Sequence, residues 1–269
     1  MKISVITPTY NSATTVAGTV NSILEQNYTN FEHIIIDNLS TDETLTKITE
    51  LYSSSGNIEK LKIFSEPDDG ISDAFNKGIA NATGEIITIL NSDDIYYCDK
   101  VFDIVIETFS TNKNISFLHG DIIFEDQKYG TNLRQPLLCN PAEAMPFNHP
   151  TMFVNKEIYK SAGVFDVNNR YCMDYEFVLR LYKFFPDYYQ NAFYFTKFPL
   201  VVMRAGGISW KHETKMLNEM VIVLKDKGLF SLEAQKVINA RKMRVKIKKV
   251  LAFLGLERIV KFWRDKKWN

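Results

Sequence analysis

Residues 85–94 read EIITILNSDD, an apolar run that ends abruptly in polar residues. The apolar part, Glu85–Leu90, is typical of a buried strand in a parallel sheet and predicts an α/β fold. Ligands of open α/β sheets bind beyond the carboxyl ends of the strands, where Asp93 and Asp94 follow this run. Adjacent carboxylates repel each other unless a cation joins them, and Mg²⁺ or Mn²⁺ prefers oxygen ligands. The segment therefore indicates a metal and nucleoside-diphosphate site, unless both carboxylates only cap the next turn or helix.

Strand and helix patterns alternate on either side of this run. Strands are predicted at 3–7, 31–37, 61–65, 85–90 and 116–124, and helices at 16–24, 44–53, 71–80 and 101–110. This alternation predicts parallel βαβ units in a Rossmann-like sheet. Neither GxGxxG nor GxxxxGK[ST] follows a strand, which argues against a dinucleotide fold or a P-loop. Further on, the patterns predict helices at 156–161, 175–184, 213–227 and from 232, extended chain at 193–203, and a two-glycine loop at 204–209.

The composition is that of a globular protein, with 45% hydrophobic and 24% charged residues among 269. Its three cysteines, Cys98, Cys139 and Cys172, lack CxxC spacing and are interpreted as free thiols. The zero net charge hides an asymmetry, because residues 236–269 hold twelve Lys/Arg and two Asp/Glu. The sequence therefore predicts a mildly acidic body with a strongly basic tail.

Polar residues follow four of the predicted strands, and in a parallel sheet these strand ends share one edge. Asp37, at the tip of the second strand, would accept a hydrogen bond from a base or ribose, or would cap a helix. Tyr10 offers a face on which a base stacks, or it packs on the surface. Lys77, in the helix after Gly70, would meet a diphosphate, or it is a solvated charge. Their convergence on one edge favours a ligand site.

Five motifs occur in order and at suitable spacing along the first hundred residues. They are TPTYN (7–11), IDNLSTDET (36–44), EPDDGISDAFNKG (66–78), ATGE (82–85) and LNSDD (90–94). Over about residues 1–210 the chain resembles a family 2 glycosyltransferase with the GT-A fold, of the bacterial type that assembles polysaccharides such as colanic acid. The resemblance implies a mostly parallel sheet flanked by helices, a nucleoside diphosphate sugar donor, often UDP-linked, and inversion at the anomeric carbon.

The resemblance also assigns roles to residues on the donor side. The donor-binding residues would be Thr7, Tyr10, Asn11, Asp37, Asp68, Asn76, Lys77 and Asp93. Among them, Asn76 and Lys77 would approach the diphosphate, and Asp93 would be the principal ligand of Mn²⁺ or Mg²⁺. Asn91 stands where the motif often has its first aspartate. Either Asp94 compensates as a second metal ligand, or the ribose contact is weaker.

The second half of the chain carries the acceptor side of the resemblance, in FNHPTMF (147–153) and YCMDYEF (171–177). By this resemblance Asp174 would be the general base that takes a proton from the acceptor hydroxyl, the alternative being an N-cap of the following helix. His149 and Glu176 would line the acceptor pocket, with Glu176 as the reserve base and His149 alternatively a structural histidine. One base and direct displacement give inversion without a carboxylate nucleophile.

The predicted organisation is a GT-A domain at 1–230 and a basic amphipathic helical tail at 231–269. The domain would consist of a nucleotide-binding half at 1–100 and an acceptor half at 101–230. In the tail, Lys and Arg alternate with Leu, Phe and Trp, a pattern typical of helices that lie on anionic membranes. The alternative is a helix packed on the body or on a second subunit of a homo-oligomer. Nucleic acid is not an expected partner, because no recognised motif accompanies the charge.

From the resemblance we expect a metal-dependent inverting glycosyltransferase that adds one sugar to a lipid-linked glycan. With a membrane-binding tail it would be cytoplasmic and peripheral, on the inner face of the cell membrane. One rival function is a catalytically weak glycosyltransferase-like scaffold of an assembly complex. The other is a nucleotidyltransferase, although no glycine-rich basic loop for a triphosphate is found.

Overall fold

The computed structural model describes residues 1–127, 130–207, 212–256 and 259. Its strands are β1 (Ile3–Thr9), β2 (Phe31–Asp37), β3 (Leu61–Ser65), β4 (Ile86–Ile89), β5 (Ile95–Tyr96), β6 (Phe117–Gly120), β7 (Ile122–Asp126), β8 (Gly130–Arg134), β9 (Phe153–Asn155), β10 (Ala192–Phe195) and β11 (Val201–Arg204). Its helices are α1 (Val16–Leu24), α2 (Thr44–Ser54), α3 (Ile71–Asn81), α4 (Val101–Thr111), α5 (Lys156–Ala162), α6 (Met173–Phe184), α7 (Pro186–Gln190), α8 (Glu213–Asp226) and α9 (Leu232–Phe253). The predicted alternation of strand and helix is confirmed.

Seven strands form the main sheet, in the order β10-β6-β9-β4-β1-β2-β3. β1 runs parallel to β2 and β4, and β2 runs parallel to β3. Only β9 lies antiparallel to its neighbours, β4 and β6. The α/β fold with a mostly parallel sheet flanked by helices is therefore as predicted, and the carboxyl ends of β1 to β4 share one edge.

Close packing against this sheet fixes the position of α3. Ala74, Phe75 and Ile79 of α3 are buried in the same apolar cluster as Ile6 of β1. A Cβ atom on Gly78 would lie 2.3 Å from the Cγ2 atom of Ile6, so only glycine allows the helix to approach the strand this closely. The sequence around α3 therefore sets the distance between the helix and the strand ends.

The strand predicted at 116–124 and the extended segment predicted at 193–203 are each interrupted in the structure. Residues 116–124 and 193–203 each divide between the main sheet and a second sheet, whose order is β5-β11-β7-β8. β6 pairs with β10 in the first sheet, and β7 pairs with β11 in the second, parallel in both cases. The crossing point is tight, because a Cβ on Gly120 would lie 2.7 Å from Leu200 and the Asp121 carbonyl accepts the Leu200 N–H at 2.9 Å. Strand β8 was not predicted.

The last two helices pack on the body of the protein. Ala234, Ile238 and Val245 of α9 are buried in an apolar cluster with residues of α6 and α8. For this part of the tail the structure thus shows the alternative interpretation, a helix packed on the body. The division at residue 230 stays a prediction. Residues 257, 258 and 260–269 of the tail and residues 208–209 of the glycine loop lie outside the described part of the chain.

The structure also shows the state of the cysteines and the apolar character of the helices. Cys98, Cys139 and Cys172 are free thiols, as predicted. Within the described ranges, no helix combines the length and the apolar character that crossing a bilayer requires.

Candidate active site

A cleft of about 790 Å³ opens at the edge of the main sheet where β1 to β4 end. One wall comes from the segments that follow these strands, and it includes Thr9, Tyr10, Asn11, Asn38, Asp68, Gly70, Asn91, Ser92 and Asp93. The other walls include His149, Arg170, Met173, Asp174, Arg204, Glu213 and Arg241. The predicted convergence of the four strand ends is therefore confirmed.

A hydrogen-bonded group of loop residues shapes the first wall. Asn11 adopts a left-handed conformation, with φ of 49°, and its side-chain oxygen accepts the Thr41 N–H at 2.9 Å. The hydroxyls of Ser12 and Ser92 are 2.9 Å apart, which ties the loop after β1 to the segment that carries Asp93. Tyr10 stands out of this loop with 63% of its surface exposed. An exposed aromatic ring on a cleft wall offers a stacking surface for a base.

The loop after β3 brings a carboxylate to the same wall. Asp68 accepts the Gly70 N–H at 2.9 Å, and Gly70 begins the turn into α3 with φ of 114°. That conformation favours glycine. Burial, reinforced by the nearby charge of Asp73, raises the pKa of the Asp68 carboxyl above its usual value. Asp68 therefore lies where the sequence analysis expected it, although its role in donor binding stays a prediction.

Two predicted donor contacts, Thr7 and Asp37, are not on the cleft wall. Thr7 is buried, and its hydroxyl is 2.9 Å from the Nε2 atom of His33. The buried carboxylate of Asp37 accepts four hydrogen bonds, from the hydroxyls of Thr9, Ser40 and Ser65 and from the Ser40 N–H. These bonds occupy the oxygens that a base or ribose would need. Asp37 thus holds three strand ends together. The predictions that Thr7 and Asp37 contact the donor are therefore corrected.

The two predicted diphosphate contacts also point elsewhere. Both ends of the Asn76 amide bind the backbone of Phe165, at 2.8 and 2.9 Å. The Lys77 ammonium forms ion pairs with Glu66 at 3.0 Å and Asp73 at 3.3 Å. Neither residue lines the cleft. The assignment of Asn76 and Lys77 to the diphosphate is therefore wrong in this structure, because both side chains are used to hold α3 and its flanking loops.

The adjacent carboxylates Asp93 and Asp94 have opposite orientations. Asp93 lines the cleft, whereas Asp94 is only 1% exposed and accepts the Arg204 N–H at 3.1 Å. Burial, followed by the charge of Asp93, raises the pKa of Asp94 to about 7. A carboxylate that is buried and bound to the backbone of β11 is not available to a metal ion in the cleft. The prediction of Asp94 as a metal ligand is corrected accordingly.

The described residues offer an incomplete set of metal ligands. No group of three or more His, Cys, Asp or Glu within the described ranges is arranged to hold a metal ion. Mg²⁺ and similar cations are often held by one or two carboxylates together with the phosphates of a substrate. Asp93 on the cleft wall fits that mode of binding.

Asp174 also lines the cleft, from the first turn of α6, and is half-buried. It is not the N-cap that the alternative interpretation considered. Glu219 of α8 accepts the N–H groups of the three residues before the helix, Arg170, Tyr171 and Cys172, at 2.8, 2.6 and 2.8 Å. The carboxylate of Asp174 accepts the Tyr175 N–H of its own helical turn at 2.8 Å, and the residue lines the cleft.

His149 contributes an imidazole to the same wall. Its ring lies 5.9 Å from that of Phe75 and 6.0 Å from that of Phe165, measured between centroids. Burial lowers the pKa of His149, and the charge of Asp174 opposes this effect. The imidazole is therefore neutral near neutral pH. Its predicted place in the pocket agrees with the structure, and its contact with an acceptor stays a prediction.

Glu176 is not a pocket residue. It is 2% exposed and forms ion pairs with Arg180 at 2.9 Å and Lys227 at 2.7 Å. The two cations stabilise its buried charge and link α6 to the segment after α8. Its assignment as reserve base is therefore wrong.

The sequence analysis missed three arginines of the cleft wall, Arg170, Arg204 and Arg241. Arg170 immediately precedes the segment 171–177, whose carboxylates gave the only signal for a site there. Arg241 was counted only as one of the twelve basic residues of the tail. Its spacing from Ile238 and Val245, three and four residues, places it on the buried face of α9 and was the available signal.

Several known proteins are similar in sequence to parts of this chain. Residues 4–168 match the family model described as Glycosyl transferase family 2. An uncharacterized glycosyltransferase of Nostoc sp. is 37% identical over 129 residues, 48% of this chain and 39% of that protein. The Escherichia coli enzyme named UDP-Glc:alpha-D-GlcNAc-diphosphoundecaprenol beta-1,3-glucosyltransferase WfgD is 33% identical over 120 residues, 44% of this chain and 45% of the enzyme. The chain thus matches less than half the length of each relative.

Solved structures confirm the GT-A fold. Residues 1–349 of Staphylococcus aureus TarS, in complex with UDP-GlcNAc, superimpose with a TM-score of 0.65 at 20% identity, covering 88% of this chain and 70% of that fragment. The mannosyltransferase PcManGT of Pyrobaculum calidifontis, in complex with GDP-Man and Mn2+, gives a TM-score of 0.62 at 16% identity, covering 97% and 80%. The family-model match extends over more than half of the chain, and the strand-end cleft lies within the matching fold. The chain belongs to glycosyl transferase family 2.

Proposed function

We propose that this glycosyltransferase transfers one sugar from a nucleoside diphosphate sugar, most simply UDP-linked, to a hydroxyl of a lipid-linked saccharide, with inversion at the anomeric carbon. One observation carries the proposal: Asp93 and Asp174 lie on different walls of a single cleft of about 790 Å³. A volume of this size accommodates a nucleotide sugar and part of an acceptor.

The chemistry follows from the two walls. Tyr10 and Asp68 border the space for the nucleoside, on the side where the strands end. Asp174 lies on the acceptor side, where it accepts the proton of the attacking hydroxyl as a general base. Attack from that side displaces the diphosphate from the opposite face and inverts the configuration. Mn²⁺ or Mg²⁺, when held by Asp93 and the donor phosphates, would offset the charge that develops on the leaving group.

Three relatives support the choice of substrates. The printed name of WfgD specifies a UDP-linked sugar and an acceptor joined to diphosphoundecaprenol. TarS was solved with UDP-GlcNAc, and PcManGT was solved with a nucleotide sugar and Mn2+. For this chain, the transferred sugar, the lipid-linked acceptor and the metal requirement are proposals.

Release of UDP from a panel of UDP-sugars, with and without Mn²⁺, tests the proposal. Asp93→Ala and Asp174→Ala should each lower the rate by at least about a hundredfold, the usual order for loss of an electrostatic or acid–base group. Asp103→Asn, an exposed carboxylate of α4, is the matched control and should keep the wild-type rate. Equal turnover in the wild type and both alanine variants would refute the mechanism, and the scaffold interpretation would then be preferred.

We further infer that the end of α9 binds the cytoplasmic face of an anionic membrane. Val250 and Phe253 are 56% and 90% exposed, beside the exposed cations Lys246 and Lys249. Apolar and basic side chains together suit an anionic bilayer surface. Phe253→Glu should reduce sedimentation with phosphatidylglycerol vesicles, with phosphatidylcholine vesicles as the control. Undiminished sedimentation of the variant, or equal binding to both lipids, would contradict this.

A further inference from the structure

Helix α9 forms part of the wall of the cleft as well as a basic tail. Its buried residues Ala234, Ile238 and Val245 join an apolar cluster that contains Tyr175 and Leu179 of α6. The same helix α6 carries Asp174. Lys248 of α9 also binds Glu213 of α8 at 2.7 Å. The position of α9 relative to the proposed general base is therefore fixed by core packing.

Arg241 interrupts the buried face of this helix. The spacing of Ala234, Ile238, Arg241 and Val245, by four, three and four residues, places all four on one face. Arg241 is the polar member of this set, and its side chain lines the cleft. The buried face of α9 therefore places a cation on the cleft wall.

The charge of Arg241 lacks a direct partner. Burial lowers its pKa, and the carboxylate that most opposes this effect is Glu213. Glu213 is itself bound to Lys248 at 2.7 Å. Within the described ranges no hydrogen bond or ion pair to the Arg241 guanidinium is found. A half-buried cation without a paired anion is costly, and a bound anion would remove that cost.

The cation that the resemblance assigned to the diphosphate does not line the cleft. Lys77 is paired with Glu66 and Asp73 outside the cleft. Arg204 on the cleft wall lies 3.6 Å from Glu125. We propose that Arg241 binds the diphosphate of a substrate, so that the C-terminal helix completes the active site. This inference rests on the proposed function, and the diphosphate belongs either to the nucleotide donor or to the lipid-linked acceptor.

Binding measurements on the full chain test the role of Arg241 without requiring turnover. Dissociation constants for UDP, uridine and farnesyl diphosphate are measured by calorimetry for the wild type, Arg241→Gln and Arg241→Met. Methionine is the second replacement because an unbranched apolar side chain is compatible with the buried face of α9, so that this variant should fold. Arg244→Gln is the matched control, since Arg244 is exposed on the same helix and does not line the cleft.

If the donor diphosphate is the ligand, both Arg241 variants should bind UDP at least about tenfold more weakly while uridine is unaffected. If the acceptor diphosphate is the ligand, the same loss should appear with farnesyl diphosphate instead. Unchanged constants for both diphosphates, or an equal loss in Arg244→Gln, would overturn the inference and leave the proposed function intact. If the wild type binds neither UDP nor farnesyl diphosphate, both the inference on Arg241 and the proposed function are overturned.

Discussion

Substitutions at Asp93 and Asp94 distinguish a carboxylate in the cleft from one that holds the fold. Asp94→Ala removes the acceptor of the Arg204 N–H, a bond of 3.1 Å at a residue that is 1% exposed. An unsatisfied buried donor costs about 1–3 kcal/mol. At about 2–4 °C per kcal/mol for a chain of this size, the melting temperature should fall by about 2–12 °C. Asp94→Asn keeps an acceptor oxygen and should lower it by less than about 4 °C.

The functional contrast is measured as the rise in melting temperature on addition of UDP with Mn²⁺. Ligand at a hundred times its dissociation constant stabilises a protein by about 2.7 kcal/mol. We expect Asp94→Asn to retain the Mn²⁺-dependent part of this rise and Asp93→Asn to lose it. The reasoning is refuted if Asp94→Asn melts like the wild type without ligand but loses the Mn²⁺ response as completely as Asp93→Asn. Asp94 would then be a metal ligand.

Three further predictions concern packing, pH and the position of the base. Gly78→Ala places a Cβ 2.3 Å from Ile6 and should cost about 1–3 kcal/mol in urea unfolding, and an unchanged midpoint would contradict this. Burial alone would raise the pKa of Glu32, but hydrogen bonds from two lysines, a serine and a threonine hold this pKa well below 4.5. The Glu32 carboxylate therefore stabilises the fold above pH 4.5, and this stabilisation is lost as the pH falls. Glu32→Gln should therefore destabilise the protein by about 1–3 kcal/mol at pH 7 and progressively less below pH 4.5, whereas a pH-independent difference would count against the assignment. Glu219→Gln removes an acceptor of the N–H groups that precede Asp174. It should lower kcat at least about tenfold and leave the affinity for UDP unchanged. A change in UDP affinity alone would argue against a role of Glu219 in positioning Asp174.

Local sequence patterns predicted most of the strands and helices. The run Phe31–Asp37 was recognisable as a buried strand because every position in it is enclosed on both faces of the sheet. The break within residues 116–124 was not recognisable, because it depends on Leu200 packing against Gly120 from a distant part of the chain. A single glycine in a strand pattern does not reveal such a tertiary contact.

The sequence predicted a site residue correctly only where the neighbouring strand or helix determines the direction of its side chain. Asp93 was expected in the cleft from its position after a buried strand, and Asp174 from the family resemblance of residues 171–177; both line the cleft. Lys77 and Asp94 belong to the same motifs, yet their tertiary partners, such as Glu66 and the backbone of Arg204, turn them away from the cleft. Motif membership alone does not determine which of two neighbouring polar residues faces a ligand.

A crystal structure of the full chain with UDP and Mn²⁺ tests the central claim most directly. The account predicts Mn²⁺ bound to Asp93 and to the diphosphate, uracil beside Tyr10, and Asp94 still bonded to the backbone of Arg204. Nucleotide bound away from the ends of β1 and β4, or Mn²⁺ held without Asp93, would contradict it.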